Sequence, residues 1–265
     1  MNQPSASTMR VRDTDFRVDQ YGAGSTTLLF LHGSDGRESW GEVPGRLAGG
    51  ARCLVPEHPG YGGTDAPAWL DNVADLANFY LEFIERQSLG RVHLVGHDLG
   101  GWIAAEMAVR NSSALASLTL VSAQGIHVED VPVVDVFLRT DEELWTDSVF
   151  DAALARELAG APRSDAQDLA AIRNKEVTAR LTWQPRAHDP HLAKWLHRIS
   201  VPTLVAWGAE DRILPPAYAE AWAGRVAGAE RQDIARCGHL PALEKPAELA
   251  SAIAQFTSSS RSHNA

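Results

Sequence analysis

Three residues far apart in the chain, Asp98, Asp211 and His239, have the types needed for two-step hydrolysis. Asp98 is the centre of Gly96-His97-Asp98-Leu99-Gly100, between an apolar run ending at Val95 and a helical pattern from Leu99 to Arg110. Small residues around a strand-to-helix junction let the backbone turn sharply and push the central side chain into the open. A carboxylate there is ionised at neutral pH and attacks without help, whereas a serine hydroxyl needs a base to take its proton. It suits a saturated carbon, as in an epoxide or a carbon–halogen centre, because attack on an acyl carbon would leave a high-energy mixed anhydride. His239 is then free to activate water against the ester, with Asp211 fixing its tautomer. Each residue also has a plainer use: Asp98 as a helix N-cap, His239 as a loop hydrogen-bonding group, Asp211 as the start of a turn. Glu129 and Asp130 are the fallback for the acid.

The elements that must hold these residues alternate along the chain. Strand-like apolar runs at 26–31, 51–56, 91–95, 115–121 and 201–207, with 230–234 reading as a last strand, are separated by helical patterns, including 71–89 with apolar residues on one face. That order predicts an α/β fold with a mostly parallel central sheet covered by helices. From about Gln124 to Ile199 the alternation stops. Helical patterns at 141–144, 149–158 and 165–181 carry no buried strand between them. The reading is a core domain of residues 1–123 and 200–265, with a helical cap insertion of residues 124–199 over the carboxyl ends of the strands, the edge where such sheets bind ligands. Pro246 to Phe256 reads as a closing helix, and residues 1–8 and 258–265 as frayed ends.

Composition narrows the function classes. The 265 residues carry a formal net charge of -10, which disfavours a nucleic acid partner. Two cysteines, Cys53 and Cys237, give no disulfide framework, and no apolar run approaches a membrane span. Without a signal-like N-terminus, a cytoplasmic location is expected. No dinucleotide, phosphate or metal motif suggests a cofactor, His188 and His191 being a weak pair without carboxylates. A small-molecule substrate is the expected partner, and a homodimer is left open.

His32-Gly33, Gly60-Tyr61-Gly62, the Asp98 turn, Trp207 to Asp211 and Cys237-Gly238-His239 occur in the order found in the α/β-hydrolase superfamily. The chain resembles that superfamily over nearly its whole length. The resemblance implies the α/β-hydrolase fold with an Asp-His-Asp triad, and an oxyanion hole from the backbone amides of Ser34 and Leu99. The flanks resemble meta-cleavage-product C–C hydrolases and related esterases, which carry serine at the elbow. The elbow aspartate resembles epoxide hydrolases and dehalogenases. Their usual accessories are missing: none of Tyr21, Tyr61, Tyr80 and Tyr218 falls in the cap, and Leu99 stands where haloalkane dehalogenases place tryptophan. Trp145, Trp183 and His188 are the cap candidates for substrate contact, with His191 a further proton donor. His32, Gly33, His97 and Leu240 complete the expected pocket. Asp35 and Glu57 are carboxylates that could tune Asp98 by repulsion.

Three functions fit. The first is a cofactor-independent hydrolase forming an Asp98 alkyl ester, with epoxide opening preferred and dehalogenation next. The second is a C–C hydrolase, esterase or non-hydrolytic biosynthetic enzyme in which Asp98 is a base or charge group. The third is a non-catalytic binding member of the fold, against which the intact Asp98, Asp211 and His239 set counts.

Overall fold

The computed structural model describes residues 3–262. Its strands are β1 (Ser5–Val11), β2 (Thr14–Tyr21), β3 (Thr27–Leu31), β4 (Arg52–Pro56), β5 (Val92–His97), β6 (Leu115–Val121), β7 (Thr203–Gly208) and β8 (Glu230–Ile234). The α-helices are α1 (Val43–Leu47), α2 (Val73–Arg86), α3 (Leu99–Arg110), α4 (Asp141–Ser148), α5 (Ala152–Gly160), α6 (Asp165–Thr182), α7 (Ala217–Arg225), α8 (Pro241–Glu244) and α9 (Pro246–Ser262). All eight strands form one sheet in the order β1-β2-β4-β3-β5-β6-β7-β8. From β4 to β8 every pairing is parallel; β1 and β2 join antiparallel at one edge.

Burial explains the layers. Side chains of a strand alternate between faces, so in β3 Leu28 and Phe30 pack on one side and Leu29 and Leu31 on the other. The first side receives Val43 of α1 and Leu249, Ile253 and Phe256 of α9. The second receives Leu76, Tyr80 and Phe83 of α2, Ile103 of α3 and Trp222 of α7. Each such large side chain contributes roughly 1.5–3 kcal/mol when removed from water. An Asn72/Asp75 capping box starts α2, and its apolar stripe is the one read from the sequence. Helix α3 is buried almost all round, as its continuous small and apolar run requires.

Two expectations need correction. Residues 5–8 are not frayed but open β1, which pairs with β2 through a turn at Arg12. At the other end α9 continues to Ser262, beyond the expected stop at Phe256; Met1, Asn2 and residues 263–265 lie outside the described residues. Between β6 and β7 the chain forms α4, α5, α6 and short 3-10 turns, with no named strand. No described helix is long and apolar enough to cross a membrane.

Candidate active site

Asp98 joins β5 to α3 with φ 53° and ψ -118°, a conformation that costs a non-glycine residue about 1–3 kcal/mol. The surrounding backbone enforces it. The Asp98 amide donates to the Val121 carbonyl at 3.1 Å, and its own carbonyl accepts from Gly101, Trp102 and Gln124 amides at 3.0, 3.2 and 3.1 Å. Gly100 is dictated by crowding, since a Cβ there would lie 2.0 Å from the Leu31 carbonyl oxygen. The side chain makes no capping hydrogen bond to α3, so the N-cap use of this residue does not describe it.

The carboxylate instead is gripped from both sides. Its Oδ2 accepts from the Ser34 amide at 3.0 Å and the Ser34 hydroxyl at 2.7 Å. Its Oδ1 accepts from Gln124 Nε2 at 2.5 Å and lies 3.6 Å from His239 Nε2. His239 Nδ1 is 2.9 Å from Asp211 Oδ2, and Asp211 Oδ1 accepts from the Ile213 and Leu214 amides at 3.0 and 2.9 Å. Glu129 and Asp130 are exposed. The structure therefore brings Asp98, His239, Asp211 and Ser34 together. Leu99 opens α3, so its amide has no carbonyl one turn earlier within the helix.

Electrostatics follow from this packing. Burial alone would lower the His239 pKa, but the Asp211 and Asp98 carboxylates override it and raise it well above the ordinary imidazole value. Burial would raise Asp98, but the hydrogen bond and charge of His239 and the Ser34 amide hold it below the carboxylate range. At rest the two form an ion pair. Solvent reaches Asp35, yet the surrounding protein and then the Asp98 charge push its carboxyl upward. Glu57 is tied up below the loop by Arg37 at 3.1 Å, with Arg37 also ion-paired to Asp19.

The remaining expected pocket residues scatter. His32 is fully buried behind the loop, its Nδ1 donating to the Gly33 carbonyl at 2.7 Å and its Nε2 accepting from the His58 amide at 2.9 Å. Gly33 faces Asp98, for a Cβ there would meet Asp98 Cβ at 2.8 Å. His97 is buried and neutral, its pKa pushed down to about 4 chiefly by burial, and its Nε2 donates to the His239 carbonyl at 2.9 Å. Leu240 packs with Val149 and Ala155, and half-buried Trp145 lies against them. Trp183 is turned to solvent, with the Arg186 guanidinium 4.1 Å above its ring. His188 lines a cavity of about 190 Å³ beside His127, while exposed His191 contacts Lys194 at 3.2 Å.

Two features lie outside the sequence reading. Gln124 touches Asp98, and only its place three residues beyond β6, next to β5, could have pointed to it. The helical segment also clasps the His239 loop: the Ser148 carbonyl accepts from the His239 amide at 2.7 Å, and Glu244 accepts from the amides of Gly238 and Phe150, both at 2.7 Å. Among the described residues no group of three or more His, Cys, Asp or Glu is arranged to hold a metal ion.

Comparisons with known proteins agree with this fold. A family model described as alpha/beta hydrolase fold matches residues 26–246. A 2-hydroxy-6-oxononadienedioate/2-hydroxy-6-oxononatrienedioate hydrolase of Paraburkholderia phymatum is 27% identical over 247 residues, covering 85% of each chain. A dihydrolipoyllysine-residue acetyltransferase component of the acetoin cleaving system of Cupriavidus necator is 27% identical over 259 residues, 92% of this chain and 67% of that one. Among solved structures, an esterase of Thermogutta terrifontis superposes with a TM-score of 0.76 at 22% identity, covering 97% of this chain and 99% of that chain.

Proposed function

This chain belongs to the alpha/beta hydrolase fold family, and from that premise we propose that it is a hydrolase in which Asp98 attacks a saturated carbon and forms an alkyl-enzyme ester, epoxide opening preferred and dehalogenation next. One observation carries the reading: Asp98 Oδ2 already occupies the two Ser34 donors, at 3.0 and 2.7 Å. Donors that would receive the oxygen of an acyl substrate are thus spent on the enzyme's own carboxylate. They are correctly placed for the other mechanism, in which the oxyanion forms on the aspartyl group itself.

In the first step Asp98 Oδ1 forms a bond to carbon and the ring C–O bond breaks. Protonated His239, with Nε2 3.6 Å from Oδ1, gives its proton to the released oxygen. Esterification removes the Asp98 charge that helped raise the His239 pKa, so the imidazole is left neutral when a base is needed. His239 then takes a proton from water, whose oxygen attacks Asp98 Cγ. Charge collects on Oδ2, where the Ser34 amide and hydroxyl hold it. Cleavage of the Cγ–Oδ1 bond, with the proton returned from His239, releases an alcohol carrying the original Oδ1. The new carboxyl gives its remaining proton to His239, restoring the ion pair. For a carbon–halogen bond, halide leaves and resting His239 loses its proton to solvent.

The names of relatives favour a second reading, C–C or ester hydrolysis with Asp98 as base or charge group. Intact-protein mass separates the two. In His239→Gln, haloalkanes are expected to add their alkyl group, the halide having left, to the peptide carrying Asp98. Epoxides, whose released oxygen takes its proton from His239, are expected to add their full mass to that peptide in Ser34→Ala, where His239 is intact. Turnover of a C–C or ester substrate with no adduct would establish the second reading instead.

A further inference from the structure

The Gln124 side chain is 93% buried, being 7% exposed, and its two ends have different fates. A carboxylate only accepts, so the end facing Asp98 Oδ1 at 2.5 Å is the amide nitrogen. That leaves Oε1 turned away from Asp98, buried and without a hydrogen bond among the described residues. Buried acceptors in folded proteins are paired, because an unpaired one forfeits its hydration for nothing.

Gln124 lies on the wall of a small cavity of about 20 Å³, whose apolar side includes Val133, Val134, Phe137 and Ile213. The other polar groups on that wall are engaged. Thr178 Oγ1 is 2.7 Å from Tyr61 Oη, Thr182 Oγ1 donates to the Thr178 carbonyl at 2.8 Å, and Arg186 is ion-paired with Asp135. Val133, Arg186, Ala187 and Leu214 also line the cavity of about 190 Å³, so the two spaces adjoin through largely apolar side chains.

We propose that Gln124 is a substrate-recognising residue whose Oε1 accepts a hydrogen bond from a hydroxyl carried beside the reacting carbon, so that the preferred substrates are small, largely apolar epoxides bearing an adjacent alcohol. The assignment of an epoxide rests on the alkyl-ester reading above. One amide group then does two things: its nitrogen orients the attacking oxygen, and its oxygen registers the carbon next to the one attacked. An apolar wall alone discriminates weakly against a methylated alcohol, but a buried acceptor left unpaired rejects it strongly.

The test compares glycidol with glycidyl methyl ether, and the unreactive pair hexanol and hexyl methyl ether, in the wild type and in Gln124→Met. Wild type is expected to favour each alcohol over its ether by on the order of tenfold or more, in kcat/KM for the epoxides and in Kd for the unreactive pair. In Gln124→Met both ratios fall to near one, while turnover of both epoxides also drops because Asp98 Oδ1 has lost a tether. Equal wild-type handling of alcohol and ether overturns the proposal, and that measurement needs no variant to fold. So does discrimination that survives in Gln124→Met. If the unreactive pair discriminates and the variant loses it, yet glycidol forms no Asp98 ester in Ser34→Ala, where His239 is intact, recognition by Gln124 stands and the alkyl-ester reading falls.

Discussion

On the proposed alkyl-ester mechanism, replacing Ser34 with alanine is expected to separate the two chemical steps. The change deletes one donor, the hydroxyl 2.7 Å from Asp98 Oδ2, and keeps the backbone donor at 3.0 Å. A hydrogen bond to a charged group contributes about 1.5–3 kcal/mol. During alkylation the Asp98 charge disappears, so this bond weakens on the way to the transition state and its loss leaves ester formation unchanged or faster. During ester hydrolysis charge returns to Oδ2, and the missing donor is felt in full. At 1.36 kcal/mol per decade, hydrolysis should slow about 10- to 150-fold. The ester therefore accumulates in Ser34→Ala with His239 intact. Rapid quench followed by intact mass would show it as a burst of adduct on the Asp98 peptide, with kcat lowered and single-turnover alkylation preserved. Alkylation slowed by the same factor as kcat, with no adduct, would refute the assignment of Oδ2 as the oxyanion.

Two further outcomes follow from the same packing. Gly33→Ala puts a Cβ 2.8 Å from Asp98 Cβ and 2.9 Å from Oδ2, so the loop must move. A loss of about 1–3 kcal/mol in urea unfolding, with activity reduced about 100-fold, is the expected result. The second outcome concerns acid. His97 and His58 are held neutral by burial, with folded pKa values below the ordinary 6.5. Under pH 6.5 the unfolded chain binds protons that the folded chain refuses, so stability falls as pH drops from 6.5 towards 4. His97 alone contributes up to about 3 kcal/mol of that loss. Urea midpoints flat across this window would contradict the burial of both rings.

The elements β3 to β7 were legible because parallel strands buried on both faces read as continuous apolar runs; β8 is an edge strand exposed except at Ile234. β1 was not legible, since nearly all of Ser5–Val11 is exposed at the sheet edge and its sequence carries no apolar signal. β2 shows only Phe16 and Val18 alternating with polar residues, too short a pattern to stand out. The triad types and their order were visible along the chain. Gln124 was invisible because its contact is made by sheet topology: β6 pairs with β5, which brings residues 98 and 124 together across 26 positions. Aromatic residues of the 124–199 segment could not be aimed from sequence, because long irregular stretches between its helices set their direction. Trp145 turned towards Leu240, and Trp183 outward under Arg186.

The clasp between the helical segment and the base loop bears on how this chain could be recombined. Ser148 and Phe150 are wired by backbone to His239 and Glu244, and Arg212 Nη2 donates to the Val149 carbonyl at 2.7 Å. A transplanted roof joined anywhere before Asp151 would bring foreign carbonyls to the histidine and shift it against Asp98. The seam for grafting therefore lies after Phe150, inside the inserted segment. Residues 148–150 belong with His239 and Glu244 as one packed unit, although their place in the chain lies within the segment between β6 and β7.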